Sequence, residues 1–216
     1  MPNAAQTEAV AASANRIGCI VLSAGRSRRF GRTRINKLLA PIRGQPLICH
    51  VLNAVAGSGV KPVVIVTGHQ RTGVERAIRH QRDRHWPTRF NRHHRQGMAS
   101  SLQAGLRAMP ASVEAVVVCL ADMPGVTSCL IARLMAAYQS GDAAVIPVVD
   151  GRRGNPVLLG RPLFAAIAQL SGDQGARSLL RTGPGLRYLD TDADAVRDID
   201  TKRDWNRAVR RRLRVH

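Results

Sequence analysis

Aromatic side chains are scarce: Phe, Tyr and Trp make up 3% of the 216 residues. Lysine is scarcer, with only Lys37, Lys61 and Lys202, so 30 of the 33 cations are arginines. Against 14 acidic residues this leaves a formal charge of +19. An arginine skew of this kind is what a GC-rich coding bias produces. The stretch Arg71–Arg95 offers only Trp86 and Phe90 for stacking and Arg207–Arg214 no aromatic at all, so a nucleic-acid face is not the expected reading. The basic stretches Arg71–Arg95 and Arg207–Arg214 therefore read as a solvated surface or as a docking site for an anionic substrate. No uncharged apolar run approaches the roughly 20 residues of a membrane-spanning helix. The first 15 residues have neither the basic start nor the apolar stretch of a signal peptide and read as a frayed tail. No CxxC pair occurs among Cys19, Cys49, Cys119 and Cys129, and Cys19 and Cys119 sit in apolar runs as small hydrophobes. No thiol nucleophile is expected, and a reducing cytoplasm is the expected compartment.

What is present is enough for one core: 44% apolar residues, too many for intrinsic disorder. Short apolar runs alternate with helical patterns. Strands are expected at Ile17–Leu22, Pro62–Thr67, Ala115–Ala121 and Ala143–Val149, with a weaker one near Thr88–Asn91. Helices are expected over Pro46–Ala56, Gln70–His80, Ser100–Ala108 and Ser128–Gln139, with a last one from Thr201. Runs of Val and Ile without polar alternation suit strands buried on both faces, hence a mostly parallel sheet with helices on both sides. The expected fold is a single doubly wound α/β domain over residues 16–216. In such folds ligands bind at the carboxyl ends of the strands. The residues following Leu22, Thr67, Ala121 and Val149 are therefore the places to search.

After the first strand, Leu22-Ser23-Ala24-Gly25-Arg26-Ser27-Arg28-Arg29-Phe30-Gly31 leads to Asn36-Lys37-Leu38-Leu39. Glycines there let backbone N–H groups turn inward around phosphate oxygens, with Ser27, Arg28, Arg29 and Lys37 adding donors and charge. The spacing of Gly25 and Gly31 is one residue too long for GxxxxGK[ST], and GxGxxG is absent. The bland alternative is a flexible basic loop. Asp122, at the end of the third strong strand, could hold Mg²⁺ beside a phosphate or cap the helix that begins near Ser128. Asp198 and Asp200 could complete a metal site, and Asp200 could equally cap the last helix. His80, His85, His93 and His94 lack the cysteine or carboxylate spacing of a zinc site and read as a surface loop. Leu102, Leu106 and Met109 have the spacing of a helix core.

These segments, with Val66-Thr67-Gly68-His69, Gln96-Gly97-Met98-x-x-Ser101-Leu102-x-x-Gly105, Leu120-Ala-Asp122-Met-Pro124, Gly151-x-x-Gly154-Asn155-Pro156-Val157, Gly172-Asp173-x-Gly175-Ala176-Arg177 and Asp198-Ile-Asp200-Thr201, resemble the MobA-like nucleotidyltransferases. The resemblance runs in order from about Ile17 to Trp205 and is nearest to the molybdenum cofactor cytidylyltransferase branch. It implies a Rossmann-like nucleotide-diphospho-sugar transferase fold. The implied nucleotide contacts are Ser23, Ala24, Gly25, Ser27, Arg29, Gly31, Lys37, Thr67, Gly97, Met98 and Ser101. Asn155, Pro156, Gly172, Asp173, Gly175 and Arg177 are implied for the acceptor, and Asp122 with Asp200 for Mg²⁺. Arg29, Lys37 and Asp122 are the implied catalytic set. Ser23 stands where the family usually has Ala, and Phe30 where it has Met.

The implied reaction moves a nucleoside monophosphate from CTP, or from GTP, onto the terminal phosphate of molybdopterin and releases pyrophosphate. Ala24 in Ser-Ala-Gly favours cytidine. The nucleophile is already an anion, which agrees with a sequence lacking a Ser-His-Asp or Cys-His set. A recipient molybdoenzyme or its chaperone is the implied partner. A non-catalytic cofactor carrier, or a nucleotidyltransferase with another phosphorylated acceptor, are the alternatives.

Overall fold

The computed structural model describes residues 16–26, 30, 36–81, 86–180, 183–193 and 195–210. The tail expected over residues 1–15 lies outside them. In chain order the strands are β1 (Ile17–Ser23), β2 (Pro41–Ile42), β3 (Gln45–Pro46), β4 (Val63–Thr67), β5 (Thr88–Phe90), β6 (Ala115–Leu120), β7 (Ala144–Val149), β8 (Arg152–Arg153), β9 (Val157–Gly160) and β10 (Leu186–Asp190). The helices are α1 (Leu47–Gly57), α2 (Arg71–Arg79), α3 (Met98–Arg107), α4 (Ser128–Ala137), α5 (Phe164–Ala168) and α6 (Lys202–Arg210). No helix among the described residues is long and apolar enough to cross a membrane.

The main sheet runs β10-β7-β9-β6-β1-β4-β5, with β8 paired to β7. Neighbours β1–β4, β1–β6, β4–β5 and β7–β10 are parallel, while β9 lies antiparallel between β6 and β7. The mostly parallel α/β sheet read from the sequence is therefore present, and β9 is the departure. Its four residues, Val-Leu-Leu-Gly, are all buried. So short an apolar run cannot announce its direction or its partners from local pattern.

Successive residues of β1 serve different layers. Ile17, Cys19 and Val21 join one apolar cluster with α1, α2 and α4, while Ile20 joins another with α3 and α5. This two-sided burial is why the strand sequences show no polar alternation. Each fully buried Ile or Leu in these layers contributes about 1.5–3 kcal/mol. Cys19 and Cys119 lie 3.9 Å apart between sulfurs, both buried. A Cβ on Gly105 would stand 2.5 Å from Cγ2 of Ile20, so glycine lets α3 lie directly on β1. After β1 the chain turns to β4 and β5 on one side and then crosses to β6 on the other. The switch point is thus the gap between the ends of β1 and β6.

Candidate nucleotide and acceptor site

A cavity of about 470 Å³ opens at that switch point. Its wall includes Ser23, Ala24, Gly25 and Arg26 after β1, Lys37 and Leu38, then Gly97, Met98 and Ser101 at the start of α3, and Asp122 and Asp200. With Asp173, which also lines it, ten of the sequence-derived site residues converge here. Ser27, Arg29 and Gly31 lie outside the described residues.

Local chemistry fixes each part. The side chain of Asn36 caps the short turn Lys37–Leu39 by accepting from the Leu38 N–H, while its amide donates to the His69 carbonyl. Leu38, 4% exposed, anchors the turn in the core, so Lys37 is delivered from a fixed backbone. Its Nζ donates to Oδ2 of Asp122 at 2.6 Å, to the Ile199 carbonyl at 2.9 Å and to Oδ1 of Asp200 at 3.2 Å. Burial works against the charged amine, but Asp122 and Asp200 outweigh it and raise the Lys37 pKa. Asp198 is pushed up by burial first, then by Asp200 and Asp122.

The bland readings of the two carboxylates fail. Thr127, not Asp122, caps α4 by accepting from the Leu130 N–H. Before α6, Thr201 and Asp204 satisfy each other's backbone N–H groups in a capping box, so Asp200 is not the cap. Both side chains are instead held at the end of the sheet facing one ammonium. Among the described residues no group of three or more His, Cys, Asp or Glu is disposed to hold a metal ion. Mg²⁺ commonly takes one or two carboxylates and completes its shell with phosphate and water, so the Asp122–Asp200 pair fits that ion.

Other site residues serve the frame. The Ser23 hydroxyl, 1% exposed, donates to the Val66 carbonyl at 2.7 Å. Thr67 donates to Oε1 of Glu75 at 3.1 Å and is not among the cavity-lining residues. Asn91 donates to the hydroxyls of Ser100 and Ser101 at 2.9 and 3.0 Å, tying the start of α3 to the end of β5. Gly97 adopts φ +108°, and a Cβ there would overlap the Gly172 carbonyl. That carbonyl accepts from the Ala99 N–H. Only glycine permits the contact.

A second cavity of about 710 Å³ adjoins the first, and the two share Leu22, Met98, Leu120 and Asp173. Its aliphatic floor comes from the sheet and α3, including Leu102, Val118, Ile146 and Val157. Asn155, Asp173, Gly175 and Arg177, four of the six residues expected for the acceptor, line it. Pro156 and Gly172 are not among its lining residues.

Sequence reasoning passed over Arg26, His94 and Arg95 in the first cavity and Arg153, Gln174 and Ser178 in the second. Each lies within three residues of a motif position, which was the available signal. His94, expected on a surface loop, is instead half-buried in the cavity wall. Its Nδ1 lies 3.1 Å from the Asn91 carbonyl, which can only accept, so Nδ1 carries the hydrogen. His69 is held below its ordinary pKa by burial and then by Arg26, His94 and Arg95.

A nucleotide-sized cavity at the switch point of a mostly parallel sheet, with Asp122 after β6 and Asp200 before α6 paired on one ammonium, defines a phosphate-handling α/β protein. Residues 19–191 match the family described as MobA-like NTP transferase domain, and the chain belongs to that family of nucleotidyltransferases. It is 32% identical over 193 residues to nicotine blue oxidoreductase of Paenarthrobacter nicotinovorans, covering 84% of this chain and 91% of that one. With molybdenum cofactor cytidylyltransferase of Escherichia coli it shares 26% over 195 residues, 90% and 96% of the two chains. Among solved structures, Rv0371c of Mycobacterium tuberculosis H37Rv superposes with TM-score 0.78 and 25% identity, over 91% of this chain and 98% of that chain. Of the bifunctional GlmU protein of Agrobacterium fabrum, by contrast, the chain spans 28% of the length.

Proposed function

We propose that this chain, as a single domain over residues 16–216, transfers CMP from CTP to the terminal phosphate of molybdenum-bound molybdopterin and releases pyrophosphate. The observation that carries the reading is the Lys37–Asp122–Asp200 constellation in one cavity, opening directly onto a second. A donor nucleotide and a phosphorylated acceptor need two such adjoining spaces. The 26% identical cytidylyltransferase supports the choice of CTP and molybdopterin.

In the transfer, an acceptor phosphate oxygen forms the new bond to the α-phosphorus as the α–β bridge breaks, and its electron pair leaves with pyrophosphate. No general base is required, because the attacking oxygen is already ionised. The chain contributes alignment and charge neutralisation. Ala24, Gly25, Gly97 and Ser101 would shape the nucleotide's bed, and Lys37 with Arg29 would take the charge of the leaving pyrophosphate. Asp122 and Asp200 would hold Mg²⁺, which when bound neutralises phosphate charge as a Lewis acid. Asn155, Asp173, Gly175 and Arg177 would orient the acceptor over the aliphatic floor.

The 32% identical relative bears an oxidoreductase's name, and this favours a second reading of the acceptor cavity as a redox site. Two carboxylates gathered on one ammonium serve a metal–triphosphate complex and have no evident task in electron transfer, so the transferase reading takes precedence. The test is transfer of label from α-labelled CTP or GTP to molybdenum-bound molybdopterin with Mg²⁺. Transfer from CTP with stoichiometric pyrophosphate is expected. Preference for GTP would overturn the base assignment alone. Cofactor binding with no transfer from either nucleotide would overturn the reaction and favour a carrier.

A further inference from the structure

In this structure Lys37 stands where a metal is expected to stand. An ammonium has three donors, and the Asp122, Asp200 and Ile199 oxygens around Nζ match that number. Lys37 is 8% exposed, so water does little to screen its contact with Asp122, while the more open Asp200 is screened further. A divalent ion taking the same two carboxylates would set a double positive charge beside the buried ammonium. The described lining of the cavity is balanced without it: Arg26, Lys37 and Arg95 face Asp122, Asp173 and Asp200. A triphosphate changes both terms. It offers the ammonium new oxygen partners, and it brings the negative charge that a metal needs.

We infer that Lys37 is a positioning residue that couples metal binding to nucleotide binding. In the nucleotide-free protein it holds Asp122 and Asp200 together as their resident counter-charge and competes with divalent metal. The phosphates of a bound nucleotide draw the ammonium away and release the carboxylates to the metal. Metal and nucleotide must then tighten each other's binding by the same factor. The inference rests on the proposed metal–triphosphate reading of this site, and it concerns order and affinity rather than turnover.

The test is a Mn²⁺ titration of the full chain, counting free ion by electron paramagnetic resonance, with and without saturating CTP and corrected for Mn–CTP in buffer. Wild type without nucleotide is expected to bind Mn²⁺ weakly and to tighten by about tenfold or more with CTP. Lys37→Met is expected to bind Mn²⁺ about tenfold more tightly than wild type without nucleotide, and to gain much less from CTP. Lys37→Gln serves as the second neutral variant should Lys37→Met fail to fold. Neutral variants that bind Mn²⁺ no more tightly than wild type would overturn the inference. So would a wild type whose Mn²⁺ affinity is the same with and without CTP, a result that needs no variant. Asp122→Asn separates the two failures. If it leaves Mn²⁺ binding in the presence of CTP unchanged, the metal site itself is wrong and the inference falls with it. If it abolishes binding while Lys37 variants behave as wild type, only the coupling falls.

Discussion

The two cavities share four residues yet are built from different materials. The nucleotide side is wired: Lys37, Asp122 and Asp200 meet within 3.2 Å, and the segments carrying them are capped by Asn36, Thr127 and the Thr201–Asp204 pair. The proposed acceptor side is an aliphatic floor with a polar rim, its polar groups carried on the turn after β8 and on the segment from Gly172 through the 3-10 turn Ala176–Leu180. On the proposed reading, triphosphate chemistry rewards fixed charge, whereas the acceptor would be chosen by pieces that can vary without disturbing the sheet.

The comparison breaks most sharply at Asp122. Asp122→Asn should lower turnover at saturating Mg²⁺ by about 100-fold or more while leaving the circular dichroism spectrum unchanged, because it removes charge neutralisation and no packing. Turnover near wild type would remove Asp122 from the catalytic set. Gly97→Ala strikes the wall between the cavities. Its φ of +108° and the overlap with the Gly172 carbonyl predict a stability loss of at least about 1–3 kcal/mol in denaturant titration. Binding of nucleotide and acceptor should weaken together, and a defect confined to one would show that the halves are independent there.

Arg177→Ala sharpens the contrast from the acceptor side. Acceptor KM is expected to rise about tenfold with CTP affinity unchanged, the loss of one charged contact. A matching loss of CTP affinity would place Arg177 on the nucleotide instead.

The smallest effect concerns Asp198. Its carboxyl is raised by burial and by two neighbouring carboxylates, so the folded state binds that proton more tightly than the unfolded chain. Its ionisation therefore costs stability above the raised pKa, and the cost disappears below the ordinary carboxylate pKa. Asp198→Asn should raise the Tm by about 2 °C at neutral pH, with the gain fading in acid. A gain independent of pH would mean that charge is not its cause.

Much of this was legible in the chain. Buried Val and Ile runs announced β1, β4, β6 and β7, because a strand covered on both faces can carry few polar residues. The ends of those strands led to Gly25, Asp122 and the cavity, since loops at the carboxyl end of a parallel sheet are where ligands fit. α3 begins at Met98, two residues before the Ser100 expected from the sequence, because a positive-φ glycine opens that helix in place of a side-chain cap.

The sequence alone determined the class of fold and the positions where chemistry could be carried, because strand burial and loop composition are local properties. The tertiary structure decided which groups meet. Lys37 reaches Asp122 across 85 residues and Asp200 across 163, and no local pattern carries such a distance. It also decided that β9 runs against its neighbours, and that the hydroxyls of Ser23 and Thr67 serve the Val66 carbonyl and Glu75. Hydrogen-bond partners and strand direction are settled by packing, where a buried polar group takes the partner that burial leaves it.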